Sequence, residues 1–213
     1  MSKKVTLTQS KGIKMSRSFI GNIYYKLGTV VFACLFSTMV NAQWVLDNDK
    51  SSLYFISIKK DAIGEVHHFK KLTGELSPNN SVTVTIALNS VETLIPIRNE
   101  RMQSMLFNTD KFPSATISTM INVEEIDALP VGKTTLKKVD LMISLHGEAH
   151  TYSSDIEITK TDEATLIAST VAPIIVNAAD FKLLEGIEAL RKIAGLPSIA
   201  SAVPVTAKLV FKQ

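Results

Sequence analysis

The chain has 213 residues, of which 46% are hydrophobic and 20% are charged, and its formal net charge at pH 7 is +3. Six of the 23 basic residues and none of the 20 acidic ones precede residue 43, so the chain beyond that point carries 17 basic and 20 acidic residues, a net charge of −3. A slightly acidic chain without basic runs lacks the electrostatic surface that nucleic-acid binding requires, and that class of function is excluded.

The first 42 residues have the three parts of a secretory signal peptide. Basic residues come first: Lys3, Lys4, Lys11, Lys14, Arg17 and Lys26. An apolar run at 27–40 follows, and Val-Asn-Ala then supplies the small residues of a cleavage site. The run is shorter than the roughly 20 residues that a membrane-spanning helix needs. We therefore predict a signal peptide at 1–42 with cleavage after Ala42, and Met15 is an alternative start of translation.

The one cysteine of the chain, Cys34, lies within this apolar run. A small residue, Ala33, precedes it, as in lipid-modified cysteines, but Phe32 is bulky and the apolar run continues beyond the cysteine. Ordinary cleavage after Ala42 fits better, and lipid attachment at Cys34 is the alternative. The remaining range, 43–213, has no cysteine, so burial of apolar side chains must stabilise it, and it is long enough for a single domain.

Beyond residue 43, apolar and polar residues alternate, which is the pattern of β-strands. The alternation predicts eight strands in chain order: 53–59, 66–76, 81–88, 115–123, 139–147, 154–159, 165–176 and 203–211. Three of these strands place their apolar residues on one face: Val82, Val84, Ile86 and Leu88; Val139, Leu141, Ile143 and Leu145; and Val203, Val205, Ala207, Leu209 and Phe211. One apolar face per strand indicates an antiparallel sheet around a shared interior, and closure removes the exposed edges. We predict a mainly β fold, an eight-stranded up-and-down barrel.

Two segments follow a helical period instead. The first, 99–107 after the third strand, is short, begins with Asn99 as its N-cap, and has one apolar side: Met102, Met105 and Leu106. The second, 182–194 before the last strand, is amphipathic and ends at Gly195. Its apolar stripe comprises Leu183, Leu184, Ile187, Leu190 and Ile193. We expect this stripe to pack against an opening of the barrel.

Five segments resemble the YceI-like family in order and spacing: "WVLDNDKSSLYFISIK", "GEVHHFKKLTGEL", "SVETLIPIRNERMQSMLF", "FPSATIS" and "VNAADFKLLEGIEALRKIAGLPSIASAVPVTAKLVF". The most specific parts are the T-x-x-x-x-R-N stretch that ends at Asn99 and the closing D-F…V-P-V-T block. The resemblance covers essentially all of 43–213. It implies a lipocalin-like barrel, export to the bacterial periplasm and a lumen that can hold a long isoprenoid or other lipid chain. Many members read R-D-x-H-L where this chain reads R-N-E-R-M from Arg98 onward, so no role of that Asp and His is carried over.

Four histidines are the candidates for a metal site or a general base: His67, His68, His146 and His150. Adjacent residues on a strand point to opposite faces, and at about 3.3 Å per residue His146 and His150 would lie roughly 13 Å apart, too far for one metal ion. The chain also has no Gly-x-Ser-x-Gly elbow, no phosphate-binding glycine loop and no dinucleotide fingerprint. We therefore expect no metal, no cofactor and no catalytic residues.

Two arginines, Arg98 and Arg101, lie among apolar residues where the third strand gives way to the first helix. A charged side chain is rarely buried without a partner. In one interpretation Arg98 stabilises the fold, bonding backbone carbonyls or a carboxylate such as Glu92, Glu100 or Asp180. In the other, the guanidinium meets a ligand head group at the rim of the barrel. We favour the structural interpretation.

The function that we predict is that of an exported, non-enzymatic protein that carries or sequesters a lipophilic chain, such as an isoprenoid, a quinone or a fatty-acid-like molecule. The occupied lumen follows from the family resemblance, because an eight-stranded barrel can also be filled by its own side chains. The residues predicted to line the lumen or its rim are Val84, Ile86, Leu88, Arg98, Arg101, Met105, Leu141, Ile143, Leu145, Phe181, Leu190, Val205 and Leu209.

Two other classes of function are the alternatives. One is an accessory interaction module of a periplasmic stress or membrane redox system, with a filled barrel. The other is a lipid-modifying enzyme, which would need polar groups of perturbed pKa in the lumen. Whichever function applies, including the preferred one, we expect only transient contact with membranes, and a homodimer is left open.

The predicted signal peptide can be tested on the exported protein. The intact mass of that protein should correspond to a chain that begins at Gln43, because cleavage is expected directly after Val-Asn-Ala. A Cys34→Ser variant is the control and should be exported and cut in the same way. A mass that retains the leader, or that carries acyl chains on Cys34, would contradict the prediction.

Overall fold

The computed structural model describes residues 43–213, and the predicted signal peptide lies outside the described residues. The described residues form twelve strands: β1 (Trp44–Leu46), β2 (Ser52–Lys59), β3 (Ile63–Phe69), β4 (Leu72–Leu76), β5 (Ser81–Ala87), β6 (Val91–Glu92), β7 (Ser114–Met120), β8 (Thr134–Leu145), β9 (Glu148–Asp162), β10 (Thr165–Thr170), β11 (Ile174–Asn177) and β12 (Ala202–Lys212). They also form three α-helices: α1 (Pro96–Arg101), α2 (Val123–Asp127) and α3 (Leu184–Ile193). A π-helical turn, Met102–Phe107, continues α1 and is called the π segment below.

The twelve strands join into one closed antiparallel barrel. Its ladders run in the order β1, β4, β5, β7, β8, β9, β10 and β12, and the ring closes where Leu46 of β1 pairs with Phe211 of β12. Towards one end, β2 and β11 pair with β12, β3 pairs with β2, and β6 pairs with β3. Four barrel strands are therefore interrupted, since β1 continues into β2, β3 into β4, β5 into β6 and β10 into β11. The predicted eight-stranded barrel with neighbours in chain order is confirmed.

The two ends of the barrel are built differently. One end, called the mouth, carries the β2–β3 and β8–β9 hairpins together with α1, the π segment and α3. The other end, called the base, carries α2 and the buried Trp44, whose Nε1 donates to Oδ1 of Asp127 at 3.0 Å. The buried Lys160 donates its Nζ to the Asp127 carbonyl oxygen at 2.9 Å. These bonds tie α2 across the base.

Strand boundaries differ from the prediction where local turn chemistry intervenes. The predicted strand 165–176 divides into β10 and β11 just before Pro173, whose ring removes a ladder donor. The predicted strand 115–123 ends at Met120, because the Asn122 side chain accepts the N–H of Glu125 at 3.2 Å and caps the short helix α2. β1 has three residues, too few for a visible alternation.

The first helix begins three residues before the predicted N-cap. α1 starts at Pro96, whose fixed φ suits the first helical position. The Asn99 side chain instead lies within the helix, where its Oδ1 accepts the backbone N–H of Thr93 at 2.8 Å and the Thr93 hydroxyl at 2.6 Å. The π segment ends at Phe107, and the next residue, Asn108, has a left-handed φ of 49°. The prediction of Asn99 as the N-cap was wrong.

The helix α3 confirms the predicted amphipathic segment before the last strand. α3 ends before Gly195, whose φ of +62° is the left-handed conformation that glycine adopts without strain. A Cβ on Gly186 would lie 2.7 Å from the Met105 carbonyl oxygen and 2.9 Å from Leu106 Cα, so α3 touches the backbone of the π segment at this point. Across residues 43–213, every helix is too short or too polar to traverse a bilayer.

Replacing Gly186 with alanine should destabilise the protein, although alanine favours helix formation over glycine by about 1 kcal/mol. The added methyl group would overlap the π-segment backbone, and relieving such overpacking costs roughly 1–3 kcal/mol. Thermal unfolding followed by circular dichroism measures the effect. Gly64→Ala is the control, because its Cβ would meet Ile56 Cγ2 at an ordinary 3.6 Å. A Gly186→Ala protein that melts at or above the wild-type temperature would show that α3 does not pack this closely.

Candidate functional site

The interior of the barrel contains three cavities in series. The mouth cavity, of about 280 Å³, lies between α1, α3 and the upper parts of β2 and β3. The middle cavity has about 140 Å³ and the lower cavity about 100 Å³. Neighbouring cavities share walls: Phe55 and Val203 border the mouth and middle cavities, while Ile143 and Val205 border the middle and lower ones. The three spaces therefore follow the barrel from the mouth towards the base.

The inner two cavities are apolar. The middle cavity is lined by aliphatic and phenylalanine side chains alone, including Phe69, Ile86 and Leu145. The lower cavity is similar and adds the hydroxyl side chains of Thr119, Ser169 and Thr170. Such walls offer burial to an apolar chain and few hydrogen bonds to a polar one.

The mouth cavity differs because polar side chains form one of its walls. Alternate residues of β2 and β3 point inward, and near the mouth these are Ser57, Lys59, Glu65 and His67. The opposite wall, from α1 and α3, is apolar apart from Arg98 and Arg101 on α1. The long space is thus polar on one side at the mouth and apolar farther in.

An ion-pair cluster centred on Glu65 joins α1 to this wall. Lys59 Nζ lies 2.8 Å from Oε1 of Glu65, and Arg98 Nη1 lies 2.7 Å from Oε2. Arg98 Nη2 also donates to the Thr93 carbonyl oxygen at 2.6 Å. The hydrogen bond from Lys59, with the nearby Arg98 charge, holds the pKa of Glu65 below its ordinary value.

The structural role predicted for Arg98 therefore holds, but its carboxylate partner is Glu65. Glu65 pairs with Ser57 in the β2–β3 ladder, and this register places its side chain on the inner face beneath α1. The sequence did not reveal this placement. Two of the three predicted partners have other contacts, since Glu92 binds Lys70 and Asn99, and Asp180 accepts from the Tyr152 hydroxyl. The third, Glu100, is exposed.

The other polar residue of interest is His67, whose side chain is 2% exposed. Its Nε2 lies 2.8 Å from Ser57 Oγ, and its ring packs against Phe55 with centroids 5.2 Å apart. Burial, reinforced by the neighbouring Arg98 charge, lowers the pKa of His67 to about 4. The imidazole is therefore uncharged at neutral pH.

Most of the sequence-predicted binding residues border these cavities. The lining residues are Val84, Ile86, Leu88, Arg98, Arg101, Leu141, Ile143, Leu145, Leu190, Val205 and Leu209. Two lie elsewhere: Met105 is 36% exposed, and Phe181 is fully buried in a separate cluster with Ala178 and Leu183. Sequence reasoning missed Ser57, Glu65 and His67, although the alternation of "FISIK" and "EVHHF" places them on one face with Phe55 and Phe69.

The four histidines are spread over the barrel. His67 points inward and His68 outward, as adjacent strand residues must, while His146 lies in the turn between β8 and β9 and His150 lies in β9. Among residues 43–213, no group of three or more His, Cys, Asp or Glu side chains is close enough to hold a metal ion.

Residues 44–211 match the family model of the YceI-like domain. The chain belongs to the YceI-like family. A YceI-like relative of solved structure, described as a polyisoprenoid binding domain from Saccharophagus degradans, has 32% sequence identity and a TM-score of 0.78, and the match covers 79% of this chain and 97% of that one. No curated protein sequence matches the chain at a significant level.

Two further solved structures agree in fold. BcnA from Burkholderia cenocepacia has a TM-score of 0.59 at 19% identity, with 78% of this chain and 98% of that one covered. The YCEI protein of Campylobacter jejuni has a TM-score of 0.50 at 16% identity, with 69% and 84% covered. At these identities the likeness extends to the fold alone.

Arg98→Ala should lower the free energy of unfolding by at least about 2 kcal/mol, because hydrogen bonds to charged groups contribute about 1.5–3 kcal/mol each. Denaturant unfolding measures this. Since the folded-state pKa of Glu65 is lowered, its pairing is fully present above the ordinary value of 4.5, and the difference from wild type should shrink as pH falls below it. Lys192→Ala is the control, because this exposed side chain makes only a 3.4 Å ion pair with Glu188. Unfolding of Arg98→Ala at the same denaturant concentration as wild type would contradict the structural assignment.

Proposed function

We propose that this protein is a non-enzymatic binding protein that holds a long lipophilic chain inside its barrel. The observation that carries the proposal is the series of three cavities, apolar at depth and polar on one wall at the mouth. A relative at 32% identity is described as a polyisoprenoid binding domain, which supports the same class of cargo here. An isoprenoid, a quinone tail or a fatty-acid-like chain would each meet the apolar walls.

Burial of the cargo supplies the binding free energy. Each CH₂ group removed from water contributes about 0.8 kcal/mol before the cost of ordering the chain. Because the cavities lie in series and each is small, a slender, extended chain fits them better than a compact molecule of equal volume. The polar wall at the mouth suits the head of such an amphiphile.

The two alternative functions have less support. A protein that acts only through its outer surface would be expected to have a barrel filled by side chains, not one with cavities along its axis. An enzyme would need an activated group in the lumen, and the Ser57–His67 pair is the nearest candidate. Within residues 43–213, however, Nδ1 of His67 meets no carboxylate that would orient the ring as a general base.

The proposal includes export to the periplasm, which the predicted signal peptide and membership of the YceI-like family support. It also includes contact with membranes only in passing, during loading or release. The intact mass of the exported protein, which should correspond to a chain that begins at Gln43, tests this part of the proposal.

A pair of neighbouring substitutions on β8 tests the proposal. Ile143 is 8% exposed and borders the middle and lower cavities, whereas Met142 is 49% exposed on the outer face. Ile143→Trp should fill the lumen and weaken binding of cis-parinaric acid, a slender fluorescent chain, by at least about tenfold, while Met142→Trp should bind as wild type does. Overpacking by roughly 1–3 kcal/mol is expected, so circular dichroism must confirm the fold of both variants.

The outcome that contradicts the proposal is equally direct. If folded Ile143→Trp and wild type bind the probe with equal affinity, the lumen near residue 143 is not the binding site. If wild-type protein from its own host carries no extractable lipid in native mass spectrometry and binds no probe, the protein is not a carrier of lipophilic chains.

A further inference from the structure

The chain between β6 and the first turn of α1 exposes four consecutive apolar residues: Leu94, Ile95, Pro96 and Ile97. Leu94 is 83% exposed, more than any other large apolar side chain that the structure describes, and the two isoleucines are half-exposed. Soluble proteins seldom leave such a run in water unless it serves a contact with another molecule.

Leu94 is also held in a backbone conformation that leucine rarely adopts. Its φ of 62° lies in the left-handed region, which is strained for leucine and better tolerated by asparagine. Two hydrogen bonds fix this geometry, since the Glu92 side chain accepts the Leu94 N–H at 2.7 Å and the Asn99 side chain accepts the N–H of the buried Thr93 at 2.8 Å. Leucine at this position therefore serves neither the core nor the backbone, and a role in binding accounts for it.

The exposed run belongs to an apolar ring around the opening of the barrel. Ile95 and Ile97 line the mouth cavity from the side of α1, and the half-exposed Ile193 lines it from α3. Ile63, also half-exposed, begins β3 on the same face as Glu65. These five residues are called the rim patch: Ile63, Leu94, Ile95, Ile97 and Ile193. The rim patch is continuous with the wall of the mouth cavity.

The size and the charge of this surface favour a membrane over a protein partner. A standard protein interface takes about 20–30 residues from each side, many more than the rim patch offers around its opening. The segments that carry the patch, 59–65, α1 and α3, contain six basic and five acidic residues, whereas the rest of 43–213 contains 11 basic and 15 acidic ones. The mouth thus has a net charge of +1 and the remainder −4, so an anionic bilayer attracts the mouth and repels the remainder.

The passage of a lipophilic chain through the mouth also favours a bilayer. Each CH₂ group moved into water lowers the equilibrium constant for transfer by about fourfold, so release of a long chain into water is strongly unfavourable. An apolar rim that is buried in the membrane surface would join the acyl region of the bilayer to the mouth cavity. The chain could then move between the two without contact with water.

We propose that the rim patch docks on an anionic phospholipid bilayer, with the Leu94 side chain inserted among the lipids, and that cargo enters and leaves the barrel in this docked state. The proposal rests on the proposed function, because it needs a chain that moves through the mouth. It adds the face of the protein that meets the membrane and the residue that inserts. Leu94 acts in docking alone, because it borders none of the three cavities.

Flotation of the exported protein with vesicles tests the proposal. Vesicles of equal parts phosphatidylcholine and phosphatidylglycerol should bind wild type, and phosphatidylcholine alone should bind it more weakly. Leu94→Asn should bind the mixed vesicles at least about tenfold more weakly, because burial of the leucine side chain is lost. The same variant should melt at or above the wild-type temperature, because asparagine adopts the left-handed backbone more readily. Weaker docking of a variant that is no less stable cannot be a defect of folding.

The chain offers a matched control in a second exposed leucine. Leu136 is 62% exposed on the outer face of β8, in the part of that strand farthest from the mouth. Leu136→Asn should therefore float with the mixed vesicles as wild type does. Equal flotation of Leu94→Asn and wild type, or an equal loss in both variants, would overturn the rim patch as the docking surface.

Binding of cis-parinaric acid in the absence of vesicles separates docking from the proposed function. Leu94→Asn and wild type should bind this probe equally. Wild type that binds the probe but does not float would overturn docking and leave the carrier. Wild type that floats but binds no probe would leave the docking surface and refute the carrier.

A second copy of the chain is the other possible occupant of the rim patch. Analytical ultracentrifugation of wild type without lipid should show a monomer at concentrations where it floats with vesicles. A dimer that Leu94→Asn converts to monomer, with no flotation of wild type, would assign the patch to an interface between copies and overturn the proposal.

Discussion

The carboxylate of Glu65 holds together the elements that form the mouth of the barrel. Lys59 on β2 binds one of its oxygens and Arg98 on α1 binds the other, while Arg98 also reaches the carbonyl of Thr93. All three side chains are half-buried, and a charged group in such surroundings is stabilised by an oppositely charged partner. Because the pairing fastens α1 to the inner wall of β2 and β3, the helix stays at the rim, and the space beneath it remains open as the mouth cavity.

An open interior is not the default for eight strands, since such barrels are narrow enough for side chains to fill. Here the walls of the inner cavities consist mostly of Val, Ile, Leu and Ala, whose short side chains leave space at the axis. The one tryptophan, Trp44, lies at the base and bonds α2 instead of filling the lumen. Close contact between Gly186 and the π segment lets α3 cover the mouth without entering it. The barrel has internal cavities because no large side chain occupies its axis.

The sequence predicted the elements whose apolar residues repeat with a regular period. It did not predict features that depend on one contact between particular side chains. Alternation over several residues predicted the eight barrel strands in order, and a helical period predicted α3. The beginning of α1 was misplaced because Asn99 looks like a cap, yet its side chain bonds back to Thr93. The pairing of Arg98 with Glu65 links residues 33 positions apart on different elements, and no local pattern connects them. The sequence therefore predicted part of the apolar lining of the cavities and two polar residues at the mouth, Arg98 and Arg101, but not Ser57, Glu65 or His67.

The structural interpretation of Arg98 concerns its two terminal nitrogens, which donate to Glu65 and Thr93 and stabilise the fold. Its Nε is buried and has no hydrogen-bond partner among the described residues. The two adjacent histidines also differ in their surroundings, since alternation sends His68 outward and His67 into the barrel. Burial then lowers the pKa of His67, so the apolar surroundings that suit a lipid tail also keep the polar mouth uncharged at this residue. The same exclusion of water that leaves His67 uncharged makes a carboxylate partner necessary for Arg98.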